Sequence, residues 1–203
     1  MTARRFPSRP LALALISAVT MTYGYLAALV QTNLVRLIAY SSVAQSGYFL
    51  MGVVALGVSP LALPGIIVFA AAYVAMNLGA FAVVMIAGRD LEDMQGFGRR
   101  RPMAGMAMVI FLLSLTGIPP LFGFVGKVYL LTAAVEAGFL WLAVIGILNS
   151  VLALGVYLRI VVPMYRTAEA VPAQPQSPLL AGVLTVAGLI TLLMAAFAGL
   201  LPG

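Results

Sequence analysis

The chain has 203 residues, of which 64% are hydrophobic and only 8% are charged, and it contains neither cysteine nor histidine. Soluble domains carry about a quarter charged residues, so this composition excludes a soluble domain and predicts an all-α integral membrane protein. The missing residue types exclude disulfides and cysteine nucleophiles, and they remove the commonest metal ligands. The net charge of +6 does not indicate nucleic-acid binding, because the arginines lie in short segments between apolar runs.

Three apolar runs predict the first three membrane helices, over residues 11–30, 36–57 and 63–87. A basic start before an apolar run is also the layout of a signal peptide. The first run is long enough to span a bilayer, however, and no small-residue cleavage pattern follows it, so we expect a retained helix. The next two helices carry polar side chains that either hydrogen-bond between helices or line a hydrated channel. These candidate channel-lining residues are Tyr40, Ser41, Ser42, Gln45 and Asn77.

The fourth apolar run, over residues 103–135, is interrupted near its middle. Pro119 and Pro120 together remove two backbone donors and forbid a regular helix across the join. A hydrocarbon interior supplies no water to replace the lost hydrogen bonds, so such a break must be buried in protein or line a wet cavity. The sequence therefore predicts a broken membrane helix, whose backbone is loosened further by three nearby glycines. The predicted break residues are Gly117, Pro119, Pro120, Gly123 and Gly126.

Lys127 follows the break and is the only lysine in the chain. A charged lysine inside a membrane is costly, so such residues usually face a bundle interior or a polar pathway. Desolvation disfavours the charged form of an amine, which allows a buried lysine to load and release a proton. The alternative is that the side chain extends to a membrane interface. We interpret Lys127 as an interior proton carrier. Ser114 and Tyr129, on the same broken helix, are further candidates for lining a channel.

Two further apolar runs predict a fifth helix over residues 139–165 and a sixth over residues 178–201. The fifth carries Asn149, another candidate for lining a channel. The sixth is apolar almost throughout, which is typical of packing against lipid or a partner. In total the sequence predicts about six transmembrane helices, the fourth of them broken at Pro119-Pro120.

The arginines predict the orientation of the chain. Three consecutive arginines, at positions 99–101, precede the fourth helix, and arginines beside a membrane span are typical of the cytoplasmic side. If the start of the fourth helix lies on the cytoplasmic side, both termini of the chain lie outside. The arginines at positions 4, 5 and 9 oppose that orientation, and the conflict favours further helices upstream of Met1.

Four motifs follow one another along the predicted helices. They read NLVRLIAYSS at residues 33–42, NLGAF at 77–81, SLTGIPP with GFVGK over 114–127, and NS with YLR over 149–159. In this order they resemble the antiporter-like membrane subunits of respiratory complex I, the proton-translocating NADH:quinone oxidoreductase. Related subunits of cation/proton antiporters and membrane hydrogenases are similar to a lesser degree. The resemblance extends over about residues 11–201.

The resemblance implies a single membrane domain over residues 1–203. Within it, residues 11–165 would form a five-helix repeat that contains the broken helix, and residues 178–201 an extra C-terminal helix. Family members contain two such repeats in inverted orientation, and this chain corresponds to the second. Lys127 falls on the key lysine of the broken helix. The resemblance therefore implies a non-catalytic subunit that passes protons through a hydrated path.

The resemblance also implies where the rest of the machinery lies. No cofactor is expected in this chain, whereas NADH, flavin, iron–sulfur clusters and quinone are expected in partner subunits. The expected surroundings are a bacterial inner membrane and its lipid bilayer, with both termini outside. Expected protein partners are other membrane subunits of a complex I-like assembly and a chain that supplies the first repeat.

The chain departs from the family pattern at three points. Gln45 stands where a histidine is common, Val35-Arg36 replaces a usual lysine–arginine pair, and the first repeat is absent. These departures leave open a subunit of a cation/proton antiporter or membrane hydrogenase, a structural membrane scaffold, and a truncated remnant. An antiporter would need an acidic ion site, for which Glu136 is the only carboxylate near a span.

Overall fold

The computed structural model describes residues 8–166 and, after them, residues 182, 185, 186, 188, 189 and 191. Residues 8–166 form α-helices, one 3₁₀ turn at Leu91–Met94 and the short segments that join them. The helices, in chain order, are α1 (Ser8–Leu29), α2 (Leu34–Val54), α3 (Ala62–Ala87), α4 (Phe97–Arg100), α5 (Pro102–Thr116), α6 (Phe122–Glu136) and α7 (Leu140–Tyr165).

These helices account for five membrane crossings. The apolar stretches of α1, α2, α3 and α7 have 21 to 26 residues, which is enough to cross a membrane. Helices α5 and α6 have 15 residues each, or about 22 Å, so only the two together can cross the hydrocarbon core. The all-α membrane fold and the first five predicted spans are thus confirmed. The sixth, over residues 178–201, lies outside the described residues apart from isolated positions.

Small residues bring α1 and α2 into close contact. Ser17 Oγ donates a hydrogen bond to the Gly47 carbonyl oxygen over 2.6 Å, and a Cβ added at Gly47 would lie 2.7 Å from the Met21 nitrogen. A Cβ added at Gly24 would lie 2.5 Å from the Ala44 nitrogen. Glycines at such positions let membrane helices approach each other closely. The polar face of α2 is therefore held at a fixed position in the bundle.

The fourth crossing is broken over residues 117–121, between the end of α5 and the start of α6. Gly117 ends α5 with a φ of +88°, a left-handed conformation that favours glycine. The bond between Pro119 and Pro120 that follows is cis. The break predicted at these two prolines is confirmed.

Gly123 and Gly126 lie inside α6, so their prediction as break residues is wrong. Both serve close packing instead. A Cβ at Gly123 would overlap the Ser114 carbonyl oxygen, and one at Gly126 would lie 2.7 Å from the Phe69 Cα. These two glycines let α6 approach α5 and α3. The sequence alone does not distinguish a glycine that bends the backbone from one that admits a neighbour.

The ends of α1, α3 and α7 and the starts of α2 and α5 meet at one end of the bundle, which we call the arginine-bearing end. The Leu34 nitrogen donates to the Arg89 carbonyl oxygen over 2.7 Å, joining the start of α2 to the end of α3. Arg159 of α7 donates to the carbonyl oxygens of Ala28 and Leu29 at the end of α1. A guanidinium stabilises a helix C-terminus because it satisfies free carbonyls and opposes the helix dipole.

Candidate functional site

Lys127 lies in the interior of the bundle, with only 3% of its surface exposed. Its Nζ donates hydrogen bonds to the carbonyl oxygens of Leu115 and Thr116, each over 3.0 Å, and to Ser150 Oγ over 3.4 Å. The ring of Tyr48 also faces the amine, with its centroid 4.3 Å from Nζ. The alternative in which this side chain extends to a membrane interface is therefore wrong.

The broken helix explains why carbonyl oxygens are available to Lys127. The last four carbonyls of an α-helix have no partner within the helix. In α5 the first two of these accept hydrogen bonds from backbone nitrogens of the break, whereas the last two, of Leu115 and Thr116, accept from Lys127. The negative end of the helix dipole lies at the same place. The break thus creates a site for a positive charge in the protein interior.

Within the part of the chain that the structure describes, the groups that bind the amine are all neutral. Ser150 Oγ lies 3.1 Å from the Tyr48 hydroxyl oxygen, which also donates to the Gly146 carbonyl oxygen over 2.6 Å. Two carbonyls, one hydroxyl and the face of an aromatic ring can accept the three donors of an ammonium group. Neutral acceptors make weaker hydrogen bonds to a charged amine than a carboxylate does. The arrangement therefore suits an amine that alternates between its charged and neutral forms.

Gln45 joins the site through a shared acceptor. Its Nε2 donates to the Leu115 carbonyl oxygen over 3.0 Å, and Lys127 donates to the same atom. The other amide atom, Oε1, is buried and has no hydrogen-bond partner among the described residues. Buried polar atoms without a protein partner usually bind water. Gln45 thus shares an acceptor with the amine and keeps, among the described residues, one acceptor atom that has no protein partner.

A group of buried side chains, which we call the inner polar cluster (Tyr25, Ser41, Gln45 and Tyr157), extends away from Lys127. The Tyr157 hydroxyl lies beside the other three side chains. Neither it nor the Tyr25 hydroxyl makes a well-formed hydrogen bond within the described residues, and Ser41 donates to a carbonyl of its own helix. The cluster continues the polar surroundings of Lys127 between α1, α2 and α7.

Ser114 and Asn149 make hydrogen bonds to groups other than Lys127. Ser114 Oγ accepts a hydrogen bond from the Gly123 nitrogen over 3.1 Å and so satisfies a donor at the start of α6. Asn149 Nδ2 donates to Thr22 Oγ1 and to the Ile145 carbonyl oxygen, each over 3.0 Å. Asn149 Oδ1 is buried and has no partner within the described part of the chain. Ser114 therefore joins the two halves of the broken helix, whereas Asn149 keeps one free acceptor.

Four other predicted residues lie outside this group of contacts. Tyr40 is half-buried and packs against the hydrophobic core, and Ser42 donates to a carbonyl of its own helix over 3.0 Å. Tyr129 lies two residues beyond the lysine, about 200° further round α6, where its side chain approaches α3. Asn77 is half-buried on α3, and its Oδ1 has no partner among the residues described.

Tyr48, Ser150 and the tyrosines of the inner polar cluster were not predicted as site residues. The sequence did contain a periodic pattern of polar residues. Ser41, Gln45 and Tyr48 are spaced by four and three residues, so they share one face of α2. Ser150 and Tyr157 are seven residues apart and share a face of α7 in the same way. In a membrane helix, a repeated polar face indicates the side that points away from lipid.

Several known proteins have sequences similar to this chain. The family model described as NADH:quinone oxidoreductase/Mrp antiporter, TM, matches residues 8–153. NADH-quinone oxidoreductase subunit N of Trichlorobacter lovleyi is 44% identical in an alignment 160 residues long that covers 74% of this chain and 32% of that protein. The subunit N of an Anaeromyxobacter species is 41% identical in an alignment 200 residues long that covers 93% of this chain and 38% of that protein. The chain thus spans between about a third and two fifths of the length of these relatives.

Solved structures are similar over nearly all of the chain. One chain of respiratory complex I from Thermus thermophilus with bound aureothin is 32% identical and has a TM-score of 0.82, covering 94% of this chain and 44% of that one. A chain of the Mrp complex from Dietzia sp. DQ12-45-1b has the same fold, with a TM-score of 0.82 at 21% identity, covering 95% and 45%. The resemblance to complex I subunits is thereby confirmed. The family model matches well over half of the residues of this chain. The chain therefore belongs to the NADH:quinone oxidoreductase/Mrp antiporter family of membrane proteins.

Proposed function

We propose that this chain is part of a proton-translocating membrane subunit of an NADH:quinone oxidoreductase, in which Lys127 carries the proton. The observation on which the proposal depends is a buried amine held by the free carbonyls of a broken helix and by Ser150. Relatives named NADH-quinone oxidoreductase subunit N match most of the chain and support this assembly.

The proton would be held and released at Lys127 Nζ. In the charged form the amine has three donors, which match the acceptors of Leu115, Thr116 and Ser150. In the neutral form its nitrogen can accept a hydrogen bond, and the Ser150 hydroxyl, which both donates and accepts, suits either form. Charges interact strongly in the low dielectric of a protein interior. A charge that changes elsewhere in the assembly would therefore shift Lys127 between the two forms.

The inner polar cluster and the Ser150–Tyr48 pair are the proposed routes by which protons reach and leave Lys127. Gln45 cannot take up a proton, so its free Oε1 would position a water molecule that passes one along. Asn149, with its own free acceptor, would act in the same way on α7. The candidates for lining more distant parts of the path remain Tyr40, Ser42, Asn77 and Tyr129.

The remaining machinery would belong to other segments and subunits. We propose that NADH, flavin, iron–sulfur clusters and quinone bind to partner subunits, and across the described residues no cluster of three potential metal ligands occurs. Residues 11–165 would be the second five-helix repeat and residues 178–201 the additional helix, with the first repeat supplied by another segment. The assembly would lie in a bacterial inner membrane, with the arginine-bearing end in the cytoplasm and both termini outside.

Replacing Lys127 by methionine is expected to uncouple proton translocation from electron transfer. Methionine fills a similar space but has no group that can take up a proton. In membrane vesicles that contain the assembled complex, NADH oxidation should continue, while the number of protons moved per NADH falls by the whole contribution of this subunit. Tyr23→Phe is the control, because Tyr23 is 60% exposed on the outside of α1 and is not one of the proposed path residues, so the change should leave that ratio as it is. An unchanged ratio in an assembled Lys127→Met complex would disprove the proposal.

Cation/proton exchange is a second candidate function, because the matching family also includes Mrp antiporters. An antiporter would move protons in response to a sodium gradient, without NADH. The same vesicles distinguish the two functions when a sodium gradient is imposed in the absence of NADH. Proton movement that Lys127→Met removes under these conditions would favour the antiporter.

A further inference from the structure

A groove at the arginine-bearing end lies apart from the Lys127 site. It has a volume of about 800 Å³ and is lined by residues from the start of α2 and the end of α3. Arg36 and Arg89 supply its positive charges, and Val35, Phe81 and Met85 supply much of its apolar wall. Basic pockets between membrane helices on the cytoplasmic side are typical binding sites for anionic lipid headgroups.

The backbone holds the two arginines of the groove together. The Leu34 nitrogen donates to the Arg89 carbonyl oxygen over 2.7 Å, two residues before Arg36 in α2. The nearest carboxylate in sequence, of Asp90, accepts a hydrogen bond from Asn33 Nδ2 over 3.1 Å. Both arginine residues are exposed. Two exposed guanidinium groups at the rim of one groove match the oxygens of a phosphate group.

An exposed apolar strip extends from the groove along α3. Val74, Leu78 and Met85 lie on one face of this helix and are 54%, 60% and 81% exposed. Their eleven-residue separation corresponds to about 16 Å, roughly half the thickness of a hydrocarbon core. The strip therefore begins beside the two arginines and runs to about the middle of the membrane.

From this geometry we infer that the groove binds an anionic phospholipid. Its phosphate contacts Arg36 and Arg89, and one acyl chain lies along the apolar strip of α3. A net-anionic headgroup is favoured over a zwitterionic one, because a choline group would bring a positive charge close to the arginines. The inference is independent of whether Lys127 carries protons, since none of the groove residues contacts the Lys127 site.

Native mass spectrometry of the full chain in mild detergent tests this inference, with dioleoyl phosphatidylglycerol and dioleoyl phosphatidylcholine as probes. We expect phosphatidylglycerol to bind tightly and phosphatidylcholine to bind weakly. Changing both arginines together, as Arg36→Gln with Arg89→Gln, should weaken phosphatidylglycerol binding about 30-fold, or about 2 kcal/mol at about 1.4 kcal/mol per tenfold change. The matched pair Arg99→Gln with Arg100→Gln removes the same charge at the same end, outside the groove, and should leave binding nearly unchanged.

Four results would overturn the inference. Equal weakening in the two variant pairs would show attraction by overall charge, and equal binding of both lipids would show no preference for an anionic headgroup. Displacement of phosphatidylglycerol by inorganic phosphate would show a site for free phosphate. Because the chain has no cysteine, Met85→Cys can also carry a single photocrosslinker in native membranes. Crosslinking to phospholipid supports the inference, whereas crosslinking to a protein would show that another subunit covers the groove and would overturn it.

Discussion

Replacing Lys127 by arginine is expected to stop proton translocation by this subunit even though the positive charge is kept. Arginine does not lose its proton in proteins, so it cannot release one to the polar path. It can still donate to the carbonyl oxygens of Leu115 and Thr116, which keeps a positive charge at the end of α5. An assembled complex should therefore oxidise NADH while the protons moved per NADH fall as far as they do in Lys127→Met.

The arginine variant separates proton transport from a structural role. If Lys127 only balances the dipole of α5, arginine should restore the translocation that methionine removes. Space is limited, since a Cβ at Gly117 would already lie 2.8 Å from the lysine Cδ. The amount of intact complex extracted in mild detergent is therefore measured first. Normal translocation by an assembled Lys127→Arg complex would contradict the proton-carrier role and favour a scaffold.

Replacing Gly123 by alanine is expected to disrupt the broken helix and the lysine site with it. The added methyl group would overlap the Ser114 carbonyl oxygen and lie 3.1 Å from the Met76 sulfur. The Gly123 nitrogen also bonds to Ser114 Oγ, so α5 and α6 cannot separate without losing that bond. Overpacking of this kind typically costs about 1–3 kcal/mol. Movement of α6 away from α5 would also take Lys127 away from its carbonyl acceptors.

Thermal unfolding in mild detergent measures the effect of Gly123→Ala, with the fluorescence of Trp141, the only tryptophan, as the signal. A clear fall in the unfolding midpoint is expected. Gly155→Ala on α7 is the matched control, because, apart from its chain neighbours and its own helix backbone, no atom of the described residues lies within 4 Å of a Cβ built at Gly155. An equal midpoint for wild type and Gly123→Ala would show that α5 and α6 are packed less closely in the protein than the overlap of a Gly123 Cβ with the Ser114 carbonyl oxygen requires.

The membrane helices were predictable from the sequence because each crossing needs an apolar run of a minimum length. The third span was predicted over residues 63–87 and is observed at Ala62–Ala87, and the fifth, predicted over 139–165, is observed at Leu140–Tyr165. The short elements between α3 and α5 were not predicted. They are held by tertiary contacts, such as the hydrogen bond from the Gly96 nitrogen to a carbonyl of α7, which no local pattern reveals.

The site was only partly predictable, because it depends on which helices meet. The interior position of Lys127 follows from the cost of a charge in hydrocarbon. Its partner Ser150 lies on another helix, 23 residues further along the chain. The carbonyl acceptors of Leu115 and Thr116 are backbone atoms, which every residue has, and they are free only because α5 ends there. A site built from a helix end can therefore be recognised in the structure, but it can hardly be recognised from the residue types in the sequence.

The proposed function requires Lys127 to gain and lose a proton within the membrane. Nitrogen NMR of its side chain tests this requirement most directly. Because Lys127 is the only lysine, the chain made with isotope-labelled lysine gives a single Nζ signal. In lipid nanodiscs we expect this signal to change from that of an ammonium to that of a neutral amine as the pH is raised, while the protein stays folded. A signal that remains an ammonium at every pH at which the protein is folded would contradict the role of Lys127 as a proton carrier.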